Sequence, residues 1–169
     1  MALSLACSRG PAPPSAAPDL APPSASAAAC TLATPLVPGV PGSPGHPIPS
    51  PINPNGNSEL AALMRAMQAD LKATRAQILA GQPRATLLPR HQRIRCSWPT
   101  NPGDRNPSFD ASAQVYLAGI AALDAADAAS ATTRFDGVLD GCRACHEKTC
   151  SGALVAIEAL RLAPSSKAR

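Results

Sequence analysis

Aromatic side chains are scarce: Trp98, Phe109, Tyr116 and Phe135 are all the chain has in 169 residues. With so few bulky rings, about a hundred foldable residues make a marginal all-protein core. No stretch approaches the roughly eighteen consecutive apolar residues of a transmembrane helix. Met1 to Ala6 is apolar but too short for a complete signal-peptide core. The alternating apolar and polar pattern of a strand is missing too, so no β-sheet is expected. The net charge of +4 is mild, and basic residues are not interleaved with aromatics, which argues against a nucleic-acid groove.

Proline, by contrast, is abundant and unevenly placed. Fourteen of the twenty prolines precede Asn55, and that stretch carries only Arg9 and Asp19 as charges. Proline lacks the N–H that helices and ladders need, and its neighbours favour extended chain. Residues 8–56 therefore read as a Pro/Ala-rich disordered linker, reaching at most roughly 150 Å if fully extended as polyproline. Residues 164–169 read as a flexible tail.

From Ser58 onward the pattern is helical. Leu60, Leu63, Met64, Met67, Leu71 and Ile78 follow i, i+3, i+4, i+7 spacing, with Asn57 or Ser58 as cap and Gly81 and Pro83 as stop. Leu87 to Cys96 reads as a short helix. A long helix is expected from about Pro107 to Ala126, with Phe109, Ala113, Tyr116, Leu117, Ile120 and Leu123 on one face. Another begins near Ala128 and carries Phe135, Val138, Leu139, Cys142 and His146. Ser151-Gly152 interrupts it, and Ala153 to Leu162 reads as a last short helix.

The sequence Cys142-Arg143-Ala144-Cys145-His146 is C-x-x-C-H, the attachment signature of a c-type haem. Two thiols form thioethers to the haem vinyl groups, and the histidine supplies an axial nitrogen to the iron. At helical spacing all three project to one face. The alternative reading of the same donors is a haem-free helical module stabilised by zinc on Cys142, Cys145, His146 and Cys150; nine residues are crowded for such a site.

The amphipathic first helix with Leu63-Met64-Arg65-Ala66-Met67, the further helices, and the late haem motif together resemble class II c-type cytochromes, the cytochrome c-prime family and its low-spin relatives. The resemblance covers about residues 58 to 150, and only the haem motif is highly specific. It implies an all-α, antiparallel four-helix bundle over residues 57–163 with one covalently bound haem, here with an added short C-terminal helix. It also implies His146 as proximal iron ligand and places Met64 on the distal side. A ligating methionine gives a low-spin electron carrier; a noncoordinating residue leaves five-coordinate iron open to nitric oxide or carbon monoxide, for sensing or detoxification. Thr149 and Cys150 stand where the family usually has an aromatic and a basic residue, so this is a divergent member.

The resemblance implies a monohaem carrier serving redox partner proteins outside the cytoplasm, in a periplasm, and allows a homodimer. Residues 1–7 look like the remnant of a lipoprotein signal, which makes Cys7 a candidate for lipidation and membrane anchoring. In an oxidising compartment Cys96 can pair with Cys150, while Cys30 has no evident partner. No acid–base group stands out as catalytic, so no enzyme is expected. His46 and His91 read as surface residues, Arg84, Arg90, Arg93 and Arg95 as a solvated segment or a docking patch, and Asp136 and Asp140 as solvated.

Overall fold

In the computed structural model, residues 30–162 are described, and they are helical with no strand among them. Helix α1 spans Glu59–Leu79. The Ser58 hydroxyl caps it by accepting from the Ala61 N–H at 3.1 Å, and Glu59 sits where the helix dipole favours a carboxylate. Leu63, Met67 and Leu71 are buried along its stripe, with Leu60, Met64 and Ile78 half-buried against the same core. Gly81, at φ +63°, ends it in the left-handed conformation open to glycine.

The short helix α2, Leu88–His91, passes directly into a 3-10 turn, Gln92–Cys96. Helix α3, Pro107–Asp124, is capped by Asn106, whose side-chain oxygen accepts from the Phe109 N–H at 3.0 Å. Helix α4, Ala131–Thr149, packs mainly on α3 through Phe135, Val138 and Leu139 from one side and Ile120 and Leu123 from the other. All five are at most 1% exposed. A 3-10 turn at Ser151–Ala153 leads to α5, Leu154–Glu158, which is shorter than the expected helix to Leu162.

Asp136 and Asp140 have a part in that shortening. The Leu162 N–H donates to Asp136 Oδ1 at 3.0 Å, and Arg161 donates to Asp140 Oδ1 at 2.5 Å. Far from being only solvated, these carboxylates draw the end of the described chain back onto α4.

Two sequence expectations are corrected by the segment before α1. Cys96 is bonded to Cys30, not to Cys150, and Cys150 is a free thiol. The Cys30 and Cys96 α-carbons are 5.5 Å apart, which suits a disulfide. Residues 30–56, read as linker, lie strapped to the helices. Proline-rich chain cannot donate freely, but its carbonyls accept: Val37 O takes the Trp98 indole N–H at 2.7 Å, and Thr31 O and Thr34 O take Arg105 at 2.8 and 2.7 Å. Gly42 O accepts the Glu59 N–H at 3.1 Å, joining the strap to the start of α1. Gly42 has φ +88°, and a β-carbon there would stand 2.2 Å from the Glu59 nitrogen, so only glycine allows this approach. Residues 8–29, Cys7 and the tail 164–169 lie outside the described residues.

The arginine-rich stretch is also corrected, since its charges are engaged within the molecule. Arg90 forms two hydrogen bonds to Asp70, at 2.7 and 3.0 Å, and Arg93 one to Glu59 at 2.7 Å. Arg84 donates to the Ala126 carbonyl. Arg95 makes a bidentate contact to the buried Asp110, at 2.7 and 3.0 Å. That guanidinium holds the Asp110 carboxyl below its ordinary range even though burial opposes the shift. These bonds clamp α2 and its turn to α1 and α3, which places the residues that follow.

Candidate functional site

The face of α4 that packs against α3 through Phe135 and Leu139 continues to Cys142 and His146 at i+7 and i+11. These residues and Cys145 meet a cavity of about 690 Å³. Leu60, Met64, Met67 and Leu71 of α1 line it from one side, with Phe109 and Tyr116 of α3 and Ile157 of α5 around them. Its volume and mainly apolar lining are those of a site for a cofactor-sized ligand. Met64, distant in sequence, thus shares one cavity with Cys142, Cys145 and His146.

His146 sits at the carboxyl end of α4, where helix carbonyls lack intrahelical partners. Its Nδ1 lies 3.2 Å from the Cys150 carbonyl oxygen. A carbonyl only accepts, so Nδ1 carries the proton and the Nε2 lone pair of the neutral ring is left for a metal. The same tether fixes the ring's orientation, as is common for metal-binding histidines. The Cys150-Ser151-Gly152 break that ends α4 is therefore what supplies this carbonyl.

Cys142 and Cys145 are half-buried free thiols. Burial, with a smaller contribution from the neighbouring Cys145, pushes the Cys142 thiol up to about 12. Among the described residues no group of three or more His, Cys, Asp or Glu is arranged to hold a metal ion. The set Cys142, Cys145, His146 and Cys150 does not converge that way, although Cys150 also reaches the cavity wall.

Met64 and Met67 both line the cavity. Met67 is 4% exposed and belongs to the packed core, whereas Met64 is half-buried. A thioether with room to move toward a bound group is the better ligand, and the more enclosed one the better filler.

One cluster beside the cavity escaped the sequence reading. His91, expected at the surface, is fully buried. Its Nδ1 is 2.7 Å from the Tyr116 hydroxyl and its Nε2 is 3.2 Å from Asp70 Oδ2. The signal was present in Leu87, His91 and Ile94, an i, i+4, i+7 stripe whose three members are all buried. The surrounding arginines obscured it.

No helix among the described residues is long and apolar enough to cross a membrane. No family model, no curated protein and no solved structure matches this chain.

Proposed function

We propose that this protein is a monohaem c-type cytochrome that transfers electrons outside the cytoplasm. The observation that carries the reading is the meeting of Met64 with Cys142, Cys145 and His146 in one apolar cavity. Cys142 and Cys145 would hold the haem as thioethers, His146 would offer Nε2 and Met64 its sulfur. Bound there, the haem supplies an iron that gains and loses one electron, and a His/Met ligand pair raises its potential.

The chain's own contribution is orientation and exclusion. The Cys150 carbonyl keeps the His146 ring in one tautomer. The apolar side chains of α1 and α5 would shield a bound group from water, and the α3–α4 core fixes the wall that bears both thiols. In this reading α1, α2 with its turn, α3 and α4 are the four arms of a class II bundle, the second arm being much shortened.

The disulfide between Cys30 and Cys96 supports an oxidising compartment, where covalent haem attachment also takes place. Cys7, as a lipidated residue, would hold the carrier at a membrane near its redox partner proteins.

The reading is tested by absorption spectra of protein matured in a bacterial periplasm. Oxidised and reduced forms are expected to be low-spin, with sharp α and β bands when reduced. Met64→Ala is expected to convert the spectrum to high-spin and to open the iron to carbon monoxide. A wild-type spectrum already high-spin and responsive to nitric oxide would replace the carrier with a gas-binding protein. A spin state unchanged by Met64→Ala would reject that ligand.

A further inference from the structure

A continuous set of hydrogen-bonding groups leads from the cavity wall to solvent. Tyr116 lines the cavity and is 6% exposed. Its hydroxyl meets His91 Nδ1 at 2.7 Å, the two rings lie nearly parallel at 8°, and His91 Nε2 meets Asp70 at 3.2 Å. The Asp70 side chain is 22% exposed, so the set ends in water.

The partners fix the protons. Asp70 is ion-paired with Arg90 and accepts only, so Nε2 of His91 carries a hydrogen. Nδ1 of the neutral ring then accepts from the Tyr116 hydroxyl. If His91 gains a proton, both its nitrogens donate, and the Tyr116 oxygen becomes the acceptor. The tyrosine hydrogen must then turn away from His91.

We propose that Asp70, His91 and Tyr116 form a redox-linked proton site, making this protein a proton-coupled electron carrier in which reduction in the cavity draws one proton onto His91. The proposal rests on the haem reading above. The balance is simple: one electron comes from the redox partner and one proton from solvent. An N–H bond forms at Nδ1, and hydronium is left as water. Added negative charge in a mainly apolar cavity favours the cationic ring, and oxidation reverses both transfers.

The charged and titratable neighbours come from every packed element. Asp70 on α1 and Asp124 on α3 favour the proton, and Arg90 on α2 opposes it. Asp124 is already engaged by the Leu87 and Leu88 N–H groups, while Arg93 and Arg95 of the following turn are paired with Glu59 and Asp110. Cys142 on α4 acts on the charge of Tyr116 only as a thiolate, and a thioether there would carry no charge. Burial lowers the proton affinity of His91 despite its Asp70 partner, placing its titration on the acid side of ordinary histidine. Burial also raises Tyr116 well above its usual range, so the tyrosine stays protonated.

The test is redox titration of the holoprotein between about pH 4 and pH 8, alongside 15N NMR of His91 in both redox states. His91 is expected to bind its proton about tenfold more tightly in the reduced protein. The midpoint potential then falls by about 59 mV in total as pH rises through that window, the one-electron equivalent of a tenfold change. His91→Gln is expected to flatten that limb. Tyr116→Phe, which keeps the ring and most of the packing, retains a limb but moves it to a different pH. Identical His91 titrations in the two redox states, or a limb that survives in His91→Gln, would overturn the proposal. A coloured, low-spin protein with a flat potential would overturn this site alone. A colourless protein would overturn it together with the haem reading.

Discussion

Phe135→Ala is expected to destabilise the fold by about 4 kcal/mol. The ring is 0% exposed and belongs to the same buried cluster as Ile120, Leu123, Val138 and Leu139. Its removal forfeits the transfer free energy of an aromatic side chain and leaves a cavity between two helices that cannot close fully. Small domains have only about 5–15 kcal/mol of stability, so the loss takes a large share of the total. Urea unfolding followed by circular dichroism measures it, as a lowered midpoint at unchanged slope. The effect should reach the functional face too, because Cys142 lies seven residues further along the same side of α4. In the proposed holoprotein, haem binding to the folded chain alone would restore part of the stability. A change below about 1 kcal/mol would mean that the α3–α4 contact is not the centre of the core.

Loss of the bond between Cys30 and Cys96 is expected to cost a similar amount, about 4 kcal/mol, in the double variant Cys30→Ser with Cys96→Ser. The bond closes a loop with a sequence separation of 66 residues. For a loop of that length the chain-entropy estimate is about 4 kcal/mol, through the freedom the unfolded chain regains when the link is removed. The protein carries its own reporter. Trp98 is the sole tryptophan and stands two residues from Cys96, with its indole N–H donating to the Val37 carbonyl of the strap. A reducing agent is therefore expected to shift Trp98 emission to the red as the strap loosens. At low temperature the helical circular-dichroism signal should persist, since α1, α3 and α4 have their own core. Unchanged emission after complete reduction would show that the strap is held by its carbonyl contacts alone.

Helix positions were legible because their signals are local. Ser58 and Gly81 mark ends by chemistry that acts within one turn, and the apolar stripes of α1, α3 and α4 repeat often enough to name the buried face. Phe135, Leu139, Cys142 and His146 share a periodicity that carries the core into the cavity, so the site's wall could be read with the helix. What could not be read depends on partners far apart in sequence. Cysteine pairing has no local signature, and Cys30 lay in a stretch whose composition suggested a spacer. Proline-rich chain looks unfoldable when only its donors are considered; Trp98 and Arg105 show that its acceptors suffice. Four arginines within twelve residues suggested a solvated segment, yet Asp70, Glu59 and Asp110 wait for three of them on other helices.

His91 shows the same limit. A histidine among arginines has the composition of a surface, while its position between Leu87 and Ile94 has the periodicity of a core. The structure follows the periodicity, because Tyr116 and Asp70 satisfy both ring nitrogens and remove the cost of burying them.

The most direct test of the account is the intact mass of the protein exported to a periplasm with haem-attachment machinery, measured beside the Cys142→Ala, Cys145→Ala double variant. The account predicts that the wild-type chain is heavier than its peptide by one haem and keeps its colour through denaturation, whereas the double variant has the peptide mass. Wild-type material at the bare peptide mass, and colourless, would contradict it.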